Sequence, residues 1–336
     1  MERKLTSLGA GRFAPTPTGR LHLGNVRTAL LAWLWARSCG LRNLLRIEDL
    51  DPAAIPQGLL DGLYQDLDWL GLHYDESPLT PGEVGPYRQS ERSVVYQAPL
   101  LRLAALGVLY PCWCSRKEVA SAAVAPHFSD EGPIYPKTCR NRTPEPLCVL
   151  DITNLPVVNG RFPALRIDVG SALNLLGINA IEFVDVVQGP QRFVLTETMG
   201  DFVVRRSDGI VAYQLACAYD DVMMGCTQVL RGRDLLPSTA RQILLLRLLE
   251  LPVPTYAHVG LALNCNGDRL SKRDGSTSIQ VLRERGSSSY DVLTCLGLSV
   301  GWSTTGKLDD LASRFRINEV TPHDVTVPLP GANKDK

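Results

Sequence analysis

The sequence predicts an α/β chain: a parallel sheet with crossover helices, interrupted by an inserted α+β segment and followed by a short helical part. Three observations predict it. Short apolar runs alternate with amphipathic stretches through the first 106 residues, strand then helix then strand then helix. Residues 111 to about 165, rich in proline, cysteine and short polar turns, break that alternation. Beyond them the chain becomes β-rich before it returns to helix.

Residues 8–14 read as a short strand entering a loop. From Gly24 to about Ser38, Val26, Leu30, Leu31, Leu34 and Trp35 recur at helical spacing, and Gly40 supplies a stop. RNLLRIED reads as a short strand ending in acids. Residues 56–70 and 93–106 read as amphipathic helices. LRIDV, IEFVDVV and QRFVL are strand-like. RRSDGIVAYQLACAYDD carries an Asp-Gly turn with apolar residues after it, a hairpin signal. Residues 241–251 read as helix, NCNGDRLSKRDGSTS as a loop, and two short helices are expected before a loose PLPGANKDK tail. The expected division is 1–110 and 201–275 as two halves of one catalytic domain, 111–200 as an insertion, and 276–336 as the short helical part.

Composition narrows the function classes. The 336 residues are 45% hydrophobic with zero formal net charge, so any nucleic-acid surface must be a local patch. Seven lysines stand against 28 arginines, and arginine suits bidentate grips on carboxylate and phosphate, although host composition alone would give the same ratio. The amino terminus lacks the apolar core of a secretory signal, and no run of about 18 apolar residues suggests a membrane span. Nine cysteines are an odd number, and Cys39, Cys217 and Cys295 sit alone in apolar runs. The expectation is a reducing, cytoplasmic setting with free buried thiols and room for one metal site.

Two stretches carry chemistry. In PTPTGRLHLGN, Pro15 and Pro17 stiffen a loop, while Gly19 and Gly24 allow close backbone approach. A helix starting near Gly24 would aim its free N–H groups back at that loop, an anion site with His22 at its mouth. A stiff turn with a capping histidine fits the same spacing. In RLSKRDGS, Lys272 could neutralise a phosphate as a point charge; a basic surface loop is the plainer reading.

Taken together, the two stretches resemble the signature pair of the class I aminoacyl-tRNA synthetases. HLGN is similar to their HIGH motif and RLSKR to their KMSKS motif. RFAPTPTG, RTALLAWLWAR, LLRIEDLD and YQLACAYDDVMMGCTQVLRGRDLL resemble the glutamyl branch, and the likeness runs from about Gly11 to Gly275 with gaps across the insertion. Asn25 stands for the second histidine and Arg269 for the first lysine; both keep a polar or cationic group. The resemblance implies a Rossmann-type sheet and attack of the glutamate α-carboxylate on the α-phosphorus of Mg²⁺-bound ATP. It implies a glutamate site of Arg12, Phe13, Ala14, Pro15, Thr16, Glu48, Tyr213 and Arg231. Arg12 and Arg231 would grip carboxylate oxygens, Glu48 the ammonium, and Tyr213 would hydrogen-bond the substrate. An N-cap or ion-pair role for Glu48 is the alternative. His22, Gly24, Asn25, Ser271 and Lys272 would hold ATP, with His22 and Lys272 stabilising charge on its phosphates. Glutaminyl sequences do not carry VLRGRD, so Arg231 argues for glutamate.

Cys112 and Cys114 are close enough to share a metal with Cys139. The Cys-x-Cys and Tyr-x-x-x-Cys pattern resembles the short glutamyl-queuosine tRNA(Asp) synthetases, which implies a structural zinc with Tyr135 as fourth ligand. Twenty residues separate Cys114 from Tyr135, so His127, Asp130 and Cys148 stay in contention, as do free cysteines. Only 63 residues follow Arg273, too few for a full anticodon-binding region. Length and metal pattern favour the short family, and that resemblance implies activation of L-glutamate without tRNA and its transfer to queuosine at the wobble position of tRNA(Asp); a monomer is expected. A truncated enzyme charging the 3′ end of tRNA(Glu), a non-catalytic adenylate- or tRNA-binding sensor, and a pantothenate-synthetase-like nucleotidyltransferase are the rivals, in that order.

Overall fold

The computed structural model describes residues 9–115, 117–119, 134–140, 152, 155–158, 160–270, 278–302 and 307–330. Ser271, Lys272, His127, Asp130 and Cys148 lie outside them.

Strand β1 (Ala10–Phe13) is buried along its whole length, as a strand covered on both faces must be. Helix α1 (Leu23–Ser38) returns the chain to β2 (Arg42–Leu45), which runs parallel to β1. Eleven residues of α1 are buried, on every side, because the sheet covers one face and C-terminal helices the other. Helix and sheet touch at Gly11, where an added Cβ would stand 2.7 Å from that of Ala36. Truncating Leu30 or Leu34 here would cost about 2–5 kcal/mol. Helices α2 (Leu59–Trp69) and α3 (Gln97–Ala105) follow, each shorter than its apolar periodicity suggested.

The insertion begins with β3 (Leu109–Cys112), which forms an antiparallel sheet with β4 (Ala164–Ile167) and β7 (Val203–Arg205). Between them β5 (Ile181–Asp185) and β6 (Gly189–Phe193) make a hairpin. The run LRIDV is strand only as far as Ile167. Asp168 then caps a helix, Val169–Leu175, by accepting from the Ser171 N–H at 3.2 Å.

The second half departs most from expectation. The Asp208-Gly209 turn does fold back, but through the single bridge Arg205–Val211. YQLACAYDD is then helix, Tyr213–Met223, because its apolar residues fall on one face against β8 (Cys226–Gly232) and the Leu236–Leu248 helix. Strand β9 (Thr255–Val259) completes a parallel sheet in the order β2-β1-β8-β9. Among the described residues three helices rather than two follow: Ile279–Glu284, Ser289–Leu298 and Leu308–Arg314. A last short strand, β11 (Val325–Thr326), pairs with β10 (Ala262–Leu263). Gly260 lets the chain pass there, since a Cβ would fall 1.8 Å from the His323 carbonyl oxygen. Cys217 and Cys295 are buried thiols as expected, but Cys39 is exposed past the end of α1. No described helix is long and apolar enough to cross a membrane.

Candidate active site

In a parallel sheet, ligands collect at the carboxyl ends of the strands, where successive crossovers leave in opposite directions. Here the chain leaves β1 towards β2 and leaves β8 towards β9, so that point lies between β1 and β8. A cavity of about 350 Å³ opens there. Arg12 to Thr16, His22, Gly24, Asn25, Glu48, Tyr213 and Arg231 all line it. Arg269 and Leu270, just before Ser271, line it too.

One end of the cavity is built for an anion. His22 is the N-cap of α1; its Nδ1 accepts the Gly24 N–H at 3.1 Å, and the Asn25 side chain accepts the His22 N–H at 3.5 Å. The capping role read from the spacing is therefore real. It also fixes the ring: with Nδ1 as acceptor, the neutral imidazole carries its proton on Nε2. The first turn of α1 holds no acid, so no side chain of that turn offsets the positive end of the helix. Backbone pairing ties this loop to the segment after residue 277, through the Ile279 N–H to the Leu21 carbonyl at 2.9 Å.

The other end holds two buried guanidiniums. Arg12 donates from Nε to Asp221 at 3.0 Å and from Nη1 to the Leu230 carbonyl at 3.3 Å. Arg46 lies 2.7 Å from the same carboxylate and 3.1 Å from Glu48. The result is a buried row of alternating charge, Arg12, Asp221, Arg46, Glu48. Burial alone would raise the Asp221 pKa, but Arg12 and Arg46 hold it below the ordinary carboxylate value.

Arg231 is held differently. Its Nε donates to His258 Nε2 at 3.2 Å, Nη1 to the Tyr213 hydroxyl at 3.4 Å, and Nη2 to Thr239 at 2.6 Å and Gln242 at 2.7 Å. All four partners are neutral. His258 is neutral because burial, followed by the adjacent guanidinium, pushes its pKa down to about 4, against the pull of Asp185. Asp185 Oδ2 lies 2.6 Å from His258 Nδ1, which fixes the proton there and leaves Nε2 to accept from Arg231. Burial keeps the Tyr213 phenol protonated, so its hydroxyl hydrogen can serve a ligand. Asp185 comes from the inserted hairpin, so the insertion builds the back wall of this pocket.

In the insertion, Cys112 Sγ lies 3.3 Å and Cys114 Sγ 3.5 Å from the Tyr135 hydroxyl, and Cys114 Sγ lies 3.5 Å from Cys139 Sγ. The three sulfurs are within 4.8 Å of one another. Zn–S bonds of about 2.3 Å put tetrahedral neighbours roughly 3.8 Å apart, so three thiols and a phenol at these spacings fit one zinc ion. Burial pushes the Cys114 thiol up to about 11, and a bound cation would reverse that. The Arg166 guanidinium covers the Tyr135 ring at 3.8 Å.

The sequence did not single out Arg46, Asp185, Asp221, Thr239, Gln242 or His258. Arg46 and His258 carried a usable signal, an ionisable residue inside an apolar strand. Thr239 and Gln242 look like ordinary helix residues.

Residues 10–327 match the family model for the catalytic domain of class I tRNA synthetases (E and Q). The chain belongs to that family, and it is a ligase of the aminoacyl-tRNA synthetase type. It is 49% identical over 284 residues to the glutamyl-Q tRNA(Asp) synthetase of Symbiobacterium thermophilum, covering 84% of this chain and 84% of that protein. It is also 44% identical over 309 residues to glutamate–tRNA ligase 2 of Nitrosococcus oceani, covering 91% of this chain and 63% of the relative. A glutamate tRNA ligase from Elizabethkingia meningosepticum, solved with its amino acid, superposes with a TM-score of 0.77 at 27% identity, over 96% of this chain and 67% of that one.

Proposed function

We propose that the protein activates L-glutamate with Mg²⁺-ATP in the absence of tRNA and then transfers the glutamyl group to the queuosine base at the wobble position of tRNA(Asp). One observation carries the choice of substrate. Arg231 is a buried cation with no carboxylate among its described partners, beside a phenol with a proton to give. A glutamate side-chain carboxylate supplies the missing charge; a glutamine amide does not, and loses correspondingly.

In this reading Arg231 takes the side-chain carboxylate and Tyr213 hydrogen-bonds to it. Glu48, held by Arg46, receives the ammonium, and Arg12 orients the α-carboxylate. Phe13 to Thr16 form the floor. The attacking carboxylate oxygen forms a bond to the α-phosphorus as the bond to pyrophosphate breaks. No protein nucleophile is needed; the protein contributes positioning and charge stabilisation. Gly24, Asn25 and the start of α1 receive phosphate oxygens and His22 donates from Nε2; Ser271 and Lys272, outside the described residues, would also bind ATP. Zinc on Cys112, Cys114, Tyr135 and Cys139 would pin the base of the insertion, with a structural role only. Residues 111–200 would face RNA, between catalytic halves 1–110 and 201–275 and ahead of the helical part 276–336. The protein would work as a cytoplasmic monomer.

The similarity to glutamyl-Q synthetases over most of both chains supports queuosine as acceptor. The similarity to glutamate–tRNA ligases supports a second reading, charging of a 3′ end. Glutamate-dependent ATP–pyrophosphate exchange without tRNA is the first test, and robust exchange is expected. Exchange that appears only on adding tRNA(Glu) would favour the second reading. Labelled glutamate should then pass to queuosine-containing tRNA(Asp); equal transfer to tRNA lacking queuosine would defeat the proposed acceptor.

A further inference from the structure

Besides the anion end and the two guanidiniums, the cleft has an apolar lining of Leu235, Gly260, Leu261, Ala262 and Leu270. It adjoins the anion end. The Leu270 N–H donates to the Ala262 carbonyl at 2.9 Å, and the Leu270 carbonyl would stand 3.5 Å from a Cβ on Gly24. In the proposed reaction the phosphates need the N–H groups of α1, and the flat base needs an apolar surface beside them. This lining supplies that surface.

Residues 260–262 do not hold their place alone. Strand β10 is two residues long, too short to fix its own position by a ladder. The C-terminal segment 322–327 holds it. Gln188 Nε2 donates to both the His258 and the Pro322 carbonyl, each at 2.8 Å. Leu261 is gripped at both backbone groups: its N–H donates to Asp324 Oδ1 at 2.6 Å, and its carbonyl accepts the Val325 N–H at 2.9 Å. The Val327 N–H reaches the Leu263 carbonyl at 3.0 Å. From α1, the buried Arg27 donates through Nη1 to the Gly260 carbonyl at 2.8 Å and through Nε to Ser299 Oγ at 3.0 Å. The other oxygen of Asp324 lies 2.8 Å from Arg233, in a partly exposed ion pair. Asp324 is thus the one side chain of the segment that fixes a backbone N–H of the cleft wall among the described residues. It is not itself part of the lining.

We infer that Asp324 is a positioning residue for ATP: by taking the Leu261 N–H it sets the wall on which the base packs, so that β11, the last strand described, serves the nucleotide site. The inference rests on the proposed function in taking ATP as the ligand.

Calorimetric binding of ATP and glutamate-dependent pyrophosphate exchange test it together. Asp324→Ala should raise the Kd and the KM for ATP about tenfold, with kcat and the KM for glutamate within twofold. A general loss of packing would move all of them. Asp324→Asn should bring the ATP KM back to within threefold of the unaltered value, because its amide oxygen can accept the Leu261 N–H. Arg233→Gln should leave it within twofold, since a partly exposed ion pair does not set the wall. Hydrogen exchange in the unaltered protein needs no variant: ATP should slow the amides of residues 325–327 together with those of 261–263. An ATP KM that is unchanged in Asp324→Ala, or that rises in step with the glutamate KM, would overturn the inference. So would exchange at 325–327 that ATP leaves untouched. Absence of pyrophosphate exchange in the unaltered protein, with the ATP Kd effects intact, would instead overturn the proposed function.

Discussion

Arg12 and Arg231 stand on neighbouring strands of one cleft, each about 4% exposed, and are held in opposite ways. Arg12 shares Asp221 with Arg46, so its charge is matched before any ligand arrives. Arg231 has a histidine, a threonine, a glutamine and a tyrosine. A buried charge with a counter-ion is a structural element. One with only neutral partners carries a desolvation cost that an anionic ligand relieves. Equal burial thus conceals a difference between a charge already balanced within the protein and one left for a ligand to balance.

The sharpest way to break the comparison is to make Arg12 resemble Arg231. Asp221→Ala leaves two buried guanidiniums facing each other and should cost about 3–5 kcal/mol in a denaturant melt. A loss below 1 kcal/mol would mean that the row of charges is not what holds the cleft. The converse change, Arg231→Gln, should barely move the melt. It should lower kcat/KM for glutamate in pyrophosphate exchange by about 10²–10³-fold, or about 3–4 kcal/mol. An unchanged KM for glutamate would remove Arg231 from the binding site.

Acid should expose the same contrast. The folded-state pKa of His258 is about 4, below its ordinary value of 6.5. Its contribution is fully present above pH 6.5 and is lost as pH falls through 4, because charging the ring puts a second cation against Arg231. About 3 kcal/mol of stability should go across that window. His258→Gln should flatten the limb, and melts from pH 7 to 4.5 would show it. The smallest effect concerns an orphaned anion. Asp66 on α2 is fully buried, and neither carboxylate oxygen has a partner among the described residues. Burial raises its pKa to about 6, from an ordinary 3.8, so its ionisation destabilises the fold as pH rises through that interval. Asp66→Asn should raise stability by about 1 kcal/mol at pH 8 and leave it unchanged at pH 4. Equal gains at both pH values would show that its charge is not the cause.

What could be read from the sequence followed from local pattern. The β1–α1–β2 unit was legible because proline, glycine and helical periodicity act within a few residues. Arg12, Glu48, Tyr213 and Arg231 were picked out by resemblance, and the fold brings them to one cavity. The helix Tyr213–Met223 was missed because an Asp-Gly turn beside apolar residues also describes a hairpin, and only packing against β8 decides between them. Asp221, Thr239 and Gln242 were invisible because their importance lies in arginines far away in the chain: Asp221 binds Arg12 and Arg46, while Thr239 and Gln242 bind Arg231. No local spacing records that.

The Asp185 carboxylate draws distant parts of the chain to one point. It binds His258, 73 residues away, through both the backbone N–H and the ring. Its neighbour Gln188 donates to Pro322, 134 residues away. Contacts of such separation cost the most loop-closure entropy and tend to form late in folding. The parallel sheet can be assembled while the wall behind Arg231 is still missing, so competence to select glutamate should be among the last properties a refolding chain acquires.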